Sequence, residues 1–256
     1  MIKRGAIHPY LDHQGLIPFA HRGFSHRHPE NTMAAFEAAI DLGYRYIETD
    51  VHATADGRLI AFHDDILDRV SDGQGRVKDL NWAEIRRARV GGTEPVPLFE
   101  ELLTTWPDIR INIEPKDDAS VDELLKLLAR EKAWDRINIG SFSGARLARI
   151  RREVGDKLCT SMGPFDVIRM RAASFHLPVG QFDANCIQVP THQYGLRIID
   201  KSFLAAAHKR GLPVHVWTIN EEAGMNRLID LGVNAIMTDR AERLKELLIR
   251  RGLWPY

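Results

Sequence analysis

The stretch Arg45-Tyr46-Ile47-Glu48-Thr49-Asp50-Val51 indicates the fold more clearly than any other part of the chain. It is an apolar run of strand length that carries two carboxylates near its end. Because side chains alternate between the two faces of a strand, Glu48 and Asp50 point to one face and their sequence neighbours point to the other. Such a strand suits a barrel, in which one face packs on helices and the other faces the axis.

Apolar runs of this length recur along the chain with helical stretches between them. The helical stretches show the helical period and punctuation at their ends, as in residues 32–42, which Gly43 follows and which Asn31 or Thr32 caps. Eight strand–helix units in about 250 residues predict an α/β fold, a closed parallel (β/α)8 TIM barrel. The strand candidates are Leu16–Ala20, Arg45–Val51, Arg110–Glu114, Ile137–Gly140, Leu158–Thr160, Cys186–Val189, Val214–Trp217 and Ala235–Thr238.

One segment interrupts this order after the second strand. Asp56-Gly57 lies between two alternating runs and predicts a β-hairpin with a two-residue turn, which places Asp50 opposite His63. Residues 64–108 are irregular and carry too few apolar residues to form a core of their own. We therefore predict a small insertion over the barrel mouth, within a single domain that spans residues 1–256.

Four polar fragments lie where strand-like runs end: His21-Arg22, Glu48-Thr49-Asp50, His63-Asp64 and Glu114-Pro115-Lys116. One such cluster is common at a protein surface, but four of them indicate a single rim where strand ends converge. Alternation along the third strand also points the glutamate of the last fragment inward. Since active sites of TIM barrels lie at the C-terminal ends of the strands, the sequence predicts an active site at this rim.

Three inward carboxylates, those of Glu48, Asp50 and Glu114, are expected within a few ångströms of one another. Two unit charges about 4–5 Å apart repel by roughly 3–4 kcal/mol at an effective dielectric constant near 20. Either some of these groups are protonated or a cation lies between them. Oxygen ligands without cysteine favour Mg²⁺ or Ca²⁺ over zinc, so we predict one divalent metal ion of either kind. The alternative is that the acids pair with Arg22, Lys116 or another local cation.

His21 and His63 accompany these acids, and imidazole titrates near neutral pH. One histidine can accept a proton from an attacking hydroxyl while the other donates to a leaving alkoxide, each contributing typically ~10²–10⁴-fold in rate. Arg22 and Lys116 can bind the non-bridging oxygens of a phosphate. Together these four residues favour phosphoryl chemistry.

The motifs around these residues resemble those of the glycerophosphodiester phosphodiesterase family. They occur in the family's order between about residues 18 and 243, and so many ordered motifs make the resemblance specific. The motifs are His21-Arg22-Gly23 with Pro29-Glu30-Asn31-Thr32, Glu48-x-Asp50-Val51, Phe62-His63-Asp64 with Leu67-x-Arg69, Ile113-Glu114-x-Lys116, Val216-Trp217-Thr218-Ile219-Asn220 and Met237-Thr238-Asp239-Arg240.

The resemblance implies a β/α barrel that hydrolyses a glycerophosphodiester to sn-glycerol 3-phosphate and an alcohol. It also implies a role for each matching residue: metal ligands at Glu48, Asp50 and Glu114, an acid–base pair at His21 and His63, and phosphate-binding cations at Arg22 and Lys116. Trp217 is expected to point inward as a wall against the glycerol or alcohol group, with ordinary barrel packing as the alternative.

Two other functions fit parts of the same sequence. A lysophospholipase D or a sphingomyelinase D-like lipid phosphodiesterase would use the same scaffold but needs an apolar mouth, and the insertion offers mainly Trp82, Val90, Val96 and Phe99 among many charges. A non-catalytic phosphate-binding barrel would have no reason to keep both histidines and all three acids. We therefore expect an enzyme, a phosphoric diester hydrolase, that acts on a small-molecule glycerophosphodiester.

Composition adds limits on partners and location. The 256 residues include 35 basic and 35 acidic side chains, so no net charge draws the chain toward nucleic acid or an anionic membrane. Met1–Tyr10 contains two basic residues without an apolar segment behind them, and no run approaches membrane-spanning length. We predict a cytoplasmic protein without stable membrane insertion. The apolar residues 253–256 are expected to dock on the barrel or on a second subunit of a homo-oligomer.

Overall fold

The eight apolar runs become the strands of a parallel barrel in a computed structural model that describes residues 7–256. They pair in the order β5-β4-β3-β2-β1-β8-β7-β6, and a parallel bridge between Ser161 and Cys186 joins the two ends and closes the barrel. The predicted fold class is confirmed. The strands are β1 (Ile17–His21), β2 (Tyr46–Ala53), β3 (Arg110–Pro115), β4 (Ile137–Ile139), β5 (Cys159–Thr160), β6 (Ile187–Val189), β7 (Val214–Val216) and β8 (Ala235–Thr238).

Helices alternate with these strands, and capping side chains start several of them. The Thr32 hydroxyl accepts a hydrogen bond from Ala35 N at 3.2 Å, and the Asp117 carboxylate accepts one from Ser120 N at 2.6 Å. The helices are α1 (Met33–Asp41), α2 (Trp82–Ile85), α3 (Phe99–Thr105), α4 (Asp118–Glu131), α5 (Gly144–Val154), α6 (Pro164–Ala173), α7 (Lys201–His208), α8 (Glu222–Leu231) and α9 (Ala241–Arg250), with 3-10 turns at Pro9–Leu11, Val77–Asp79, Trp134–Arg136 and Gly155–Lys157.

Aromatic side chains fill part of the barrel interior. The rings of Tyr10 and Phe19 lie edge-on to Tyr46, with centroids 5.5 Å and 5.1 Å away, and all three are fully buried. The Tyr46 hydroxyl donates to the Tyr10 carbonyl at 2.8 Å, so the 3-10 turn that precedes β1 is fixed to the interior. The polar residues at the strand ends therefore lie above a closely packed barrel interior.

The hairpin after β2 forms, but its register differs by one residue from the predicted one. The strand Leu59–Ala61 pairs antiparallel with β2, and Phe62 N donates to the Asp50 carbonyl at 3.0 Å. Asp50 therefore lies opposite Phe62, and the expectation that it lies opposite His63 is wrong. His63 lies beyond the last paired residue of the hairpin.

A side-chain hydrogen bond explains this register. The Thr54 hydroxyl accepts from Arg58 N at 2.9 Å, and Gly57 takes a φ of 73° in the left-handed region. This makes a three-residue loop with glycine at the left-handed position, a common alternative to the two-residue turn. The extra loop residue shifts the pairing by one.

The segment after the hairpin shares a small apolar cluster with the hairpin. Residues from the hairpin strand, Ile60 and Phe62, pack with Leu67, Val77 and Ile85 and are buried with them. This cluster joins the hairpin to the segment that follows it. Helix α3, at the end of residues 64–108, packs instead in the main core between the strands and the helices.

The C-terminal residues dock on the chain's own barrel. The Trp254 ring lies edge-on to Tyr44 at 5.3 Å between centroids, and Tyr256 packs on Trp254 at 5.6 Å. No helix within residues 7–256 is long and apolar enough to cross a membrane. Met1–Ala6, on which part of the expectation about the N-terminus rests, lie outside the described residues.

His215 on β7 is a buried titratable group inside the barrel. Its Nδ1 lies 3.4 Å from the Gln188 amide nitrogen, and its Nε2 is buried without a hydrogen-bond partner in the described part of the chain. Burial lowers the pKa of His215 to about 3. The folded protein therefore keeps this imidazole neutral at pH values at which the unfolded chain protonates it.

We expect His215→Asn to make folding less sensitive to acid. Because the folded-state pKa is depressed from the ordinary value of 6.5 to about 3, wild-type stability falls as the pH falls through this range. The limiting slope for one proton is about 1.4 kcal/mol per pH unit. Urea denaturation between pH 5 and 8 should show the wild-type stability decreasing relative to the variant on acidification. A difference that does not change with pH would contradict the assignment, and His208→Asn, at an exposed position, is the control.

Candidate active site

The predicted site residues converge at the C-terminal ends of β1, β2 and β3. In the strand pairing, Glu48 is level with His21 on one side, and Asp50 is level with Glu114 on the other. Glu48 and Asp50 are 4% and 2% exposed, so both carboxylates are almost completely removed from water. The inward alternation of β2 and β3 therefore brings the three acids to one rim, as their spacing predicts.

Two cations lie directly against these acids. Lys116 Nζ is 2.7 Å from Asp50 Oδ1 and 2.9 Å from Glu114 Oε2, and Arg22 Nε is 3.4 Å from Asp50 Oδ2. Burial alone would raise the pKa of Asp50, but Lys116 and Arg22 outweigh it and lower that pKa. Burial alone would lower the pKa of Lys116, and Asp50 and Glu114 reverse that effect as well.

Of the three acids, Glu48 is the one whose negative charge these two cations offset least. It accepts a hydrogen bond from Arg22 N at 3.2 Å and lies 3.6 Å from His21 Nε2. Burial and the neighbouring charge of Asp50 raise the pKa of Glu48 to about 7. At neutral pH the rim can therefore accept further positive charge.

The donor set fits a hard divalent cation in its chemistry. Three carboxylates without a thiol are ligands that Mg²⁺ and Ca²⁺ prefer, and the raised pKa of Glu48 indicates a local deficit of positive charge. In residues 7–256, no three His, Cys, Asp or Glu side chains surround a common point that could hold a metal ion. The Lys116 ammonium stands between Asp50 and Glu114, so joint ligation by these two acids requires the ammonium to move aside.

His21 is held by an aspartate on the far side of β1. Its Nδ1 lies 2.6 Å from Asp239 Oδ1, and Asp239 accepts further hydrogen bonds from Asn220 Nδ2 at 2.7 Å and Ser25 Oγ at 3.3 Å. Burial opposes charge on His21, but Glu48 and Asp239 outweigh it and raise the pKa of His21. Despite burial, the hydrogen bond from His21 lowers the pKa of Asp239 to about 2. This network fixes the ring and leaves Nε2 facing Glu48.

His63 has the same kind of partner. Its Nδ1 lies 2.5 Å from Asp64 Oδ1, and its backbone carbonyl lies 3.1 Å from His52 Nε2. A hydrogen bond from Arg69 is the main reason why the pKa of Asp64 falls to about 2. Both histidines thus bond an aspartate through Nδ1, and in both Nε2 is the nitrogen available for proton transfer.

The sequence motifs include Asp239 and Asn31, but the sequence alone did not reveal that these two residues shape the site. The position of Asp239 just after the last strand was a usable signal, because that is where the other polar fragments also lie. Asn31 is not the helix cap, since Thr32 takes that role. Asn31 instead donates to Asp50 Oδ2 at 3.2 Å and accepts from the Thr49 hydroxyl at 2.8 Å, with a φ of 56° that asparagine tolerates better than most residues.

Trp217 lies at the end of β7 and packs against the aromatic interior, while Val214 and Val216 pack outward as expected. The ring of Phe142, from the loop after β4, meets the Trp217 ring edge-on at 5.7 Å. A cleft of about 380 Å³ opens between His21, Arg22 and the residues that hold them. The predicted contact of Trp217 with substrate stays a prediction.

The chain is similar to known proteins over most of its length. The model of the "Glycerophosphoryl diester phosphodiesterase family" matches residues 21–243. A Mycobacterium tuberculosis protein named "Probable glycerophosphodiester phosphodiesterase 2" is 37% identical over 254 residues, which cover 96% of this chain and 95% of that protein. The resemblance inferred from the motifs is confirmed.

Solved structures show the same fold. A candidate glycerophosphoryl diester phosphodiesterase from Silicibacter pomeroyi superposes with a TM-score of 0.83 at 24% identity, covering 96% of this chain and 98% of that one. An Oleispira antarctica phosphodiesterase, solved with the product sn-glycerol-3-phosphate, superposes with a TM-score of 0.76 at 21% identity, covering 92% and 97%. Both likenesses establish the barrel architecture.

We expect Lys116→Met and Glu48→Gln to have opposite effects on metal-free stability at pH 8. Lys116→Met leaves the buried Asp50 and the partly buried Glu114 without their closest cation and should lower the free energy of unfolding by about 3 kcal/mol. Glu48→Gln removes a charge that burial disfavours, so stability should stay level or rise. Because the folded-state pKa of Glu48 is raised to about 7, the gain should grow from pH 5 to pH 8. Urea denaturation in EDTA measures both effects, and an equal loss in the two variants would contradict the charge balance described above.

Proposed function

Because this chain belongs to the glycerophosphoryl diester phosphodiesterase family, we propose that it hydrolyses glycerophosphodiesters to sn-glycerol 3-phosphate and an alcohol, with His21 and His63 as the acid–base pair. Phosphodiesterase activity is the activity of the family. The observation that best supports the mechanism is the matched geometry of the two histidines, whose Nδ1 atoms lie 2.6 Å and 2.5 Å from Asp239 and Asp64.

In this proposal, the Nε2 atoms of His21 and His63, which do not bond the aspartates, transfer the protons. One accepts the proton of the attacking hydroxyl, which belongs to water or to the glycerol of the substrate, and the other gives a proton to the oxygen of the leaving alcohol. Each aspartate keeps its ring in one tautomer and stabilises the imidazolium that forms. The hydrogen bonds of Asp239 to Asn220 and Ser25 hold that partner in place during the exchange.

Positive charge for the phosphate comes from the rim. Arg22 and Lys116 carry donors that can turn from Asp50 and Glu114 to the non-bridging oxygens of a bound diester. Such contacts stabilise negative charge where it develops in the transition state. Trp217 and Phe142 supply the adjoining apolar wall, against which the glycerol or the alcohol group packs.

A divalent ion, Mg²⁺ or Ca²⁺, would be held by Glu48, Asp50 and Glu114 and would supply positive charge for the phosphate oxygens. Support for this assignment is the burial of the acids and the raised pKa of Glu48. We assign the reaction to a small-molecule diester in the cytoplasm. The balanced formal charge, 35 basic against 35 acidic residues, supports a partner that is neither a nucleic acid nor an anionic surface.

A lysophospholipid substrate is the second candidate, and one observation favours it. Phe142, Tyr194 and Leu196 lie in the loops after β4 and β6 and are 59%, 94% and 73% exposed. Loops that follow barrel strands surround the mouth, so these side chains offer apolar area that an acyl chain can cover. This area lies outside the insertion, where the sequence offered little.

Metal-dependent turnover of water-soluble diesters is the main expected outcome. Purified protein should release sn-glycerol 3-phosphate from glycerophosphocholine, lose this activity in EDTA and recover it with Mg²⁺ or Ca²⁺, because the acids at the rim then regain their charge balance. Product identification by ³¹P NMR over a panel of headgroups measures this. Exclusive turnover of lysophosphatidylcholine would establish the second candidate, and turnover unaffected by EDTA would remove the metal from the proposal.

His21→Ala and His63→Ala should each lower kcat by about 10²–10⁴-fold, because each removes one proton-transfer group. Circular dichroism and thermal denaturation should show a folded protein in both cases. His208→Ala, at an exposed position at the end of α7, serves as the matched histidine control and should retain wild-type kcat. Unchanged activity in either site variant would refute its acid–base role. No turnover of any diester by the wild type would favour a non-catalytic phosphate-binding barrel.

A further inference from the structure

One arginine of the insertion, Arg69, bonds two carboxylates from different parts of the site. Its Nη2 lies 2.7 Å from Glu30 Oε1 and 3.1 Å from Asp64 Oδ1, and its Nε donates to Asp64 Oδ2. Glu30 belongs to the loop between β1 and α1, whereas Asp64 follows the hairpin. A single guanidinium therefore connects two segments that are far apart in the sequence.

Each of these carboxylates has a second partner in the site. Asp64 Oδ1 lies 2.5 Å from His63 Nδ1, and Glu30 Oε1 accepts a hydrogen bond from Arg22 Nη1 at 3.0 Å. Arg69 is therefore connected to His63 through one intervening side chain, Asp64, and to Arg22 through another, Glu30. Among the described residues it is the shared neighbour of both carboxylates.

The backbone that carries Arg69 is fixed against the β1–α1 loop by a second contact. Gly91 N donates to the Val70 carbonyl at 2.8 Å, which ties Gly91 to the residue after Arg69. A Cβ at Gly91 would come within 2.8 Å of Pro29 Cγ, so the Gly91 backbone packs closely against the Pro29 ring. The insertion therefore meets the loop at two neighbouring residues, Pro29 through packing and Glu30 through the guanidinium.

We propose that Arg69 is a positioning residue that holds His63 through Asp64 and Arg22 through Glu30, so that the insertion sets the placement of the proton-transfer group relative to the phosphate. The proposal rests on the proposed function, because only a phosphodiesterase that uses both groups depends on their relative placement. It assigns the insertion a task at the site that does not require contact with the substrate.

The expected effect of Arg69 on the reaction rate is larger than its expected effect on stability. The Arg69 side chain is 48% exposed, and ion pairs at such positions contribute about 0–1 kcal/mol to stability. A displacement of about 1 Å at a reacting group can cost about 10²-fold in rate. Loss of Arg69 should therefore change catalysis far more than folding.

Three variants test the proposal directly. Arg69→Met removes the donors and keeps the length of the side chain, Arg69→Lys keeps the charge without the fork of donors, and Arg76→Met is the matched control. Arg76 lies in the same insertion, is 58% exposed and pairs at 3.7 Å with Asp65, whose side chain is 70% exposed. We expect kcat/KM for glycerophosphocholine to fall about 10–100-fold in Arg69→Met, to recover in part in Arg69→Lys and to stay unchanged in Arg76→Met, all with wild-type denaturation midpoints.

The contact of Arg69 with Asp64 and its contact with Glu30 can be tested separately. If Arg69 acts on His63 through Asp64, kcat of the double variant Arg69→Met/Asp64→Asn should be no lower than kcat of Asp64→Asn alone. If it acts on Arg22 through Glu30, Arg69→Met should also weaken binding of inorganic phosphate several-fold in calorimetry, whereas Arg76→Met should not.

Independent losses in the double variant, together with unchanged phosphate affinity in Arg69→Met, would overturn the proposal. Equal behaviour of Arg69→Met and Arg76→Met in both assays would do the same. A wild type that hydrolyses no glycerophosphodiester would refute the proposed function instead. In that case the phosphate-binding measurement still decides whether Arg69 positions Arg22.

Discussion

The placement of three carboxylates at one rim, two of them buried, is the constraint on which the rest of this structure depends. Glu48 and Asp50 lose nearly all contact with water, and repulsion of roughly 3–4 kcal/mol for each close pair would oppose folding without compensation. Lys116 and Arg22 supply two positive charges, and Asn31 supplies a neutral donor. The compensation is incomplete at Glu48, where burial and the charge of Asp50 raise the pKa to about 7, and this supports the proposed divalent cation.

The two histidines meet this rim by different routes. The partner of His21, Asp239, lies just after β8, next to β1 in the barrel, and two further side chains hold it there. The partner of His63 is its own neighbour in sequence, Asp64, which depends on Arg69 from the insertion. Of the two histidines proposed for proton transfer, one is therefore fixed by the barrel and the other by a segment added to it.

The parts of the structure that follow from local rules could be predicted from the sequence. Strand alternation placed Glu48, Asp50 and Glu114 inward, and the polar fragments at strand ends located the site. The hairpin register could not be predicted, because one hydrogen bond from Arg58 N to the Thr54 hydroxyl selects the loop length. The contacts of Asn31, Asp239 and Arg69 depend on which loops meet across the mouth, which no spacing along the chain encodes.

The two aspartate partners are held by different parts of the fold, and this has a consequence for how the site can vary. The hydrogen bonds of His21 and Asp239 lie among the neighbouring barrel strands β1 and β8, so changing them disturbs the strand ends that also carry Glu48. Arg69 is half exposed and lies outside the barrel, so its ion pairs can change at little cost in stability. The placement of His63 can therefore be altered through Asp64 and Arg69, while the acids and His21 stay fixed by the packing of the barrel.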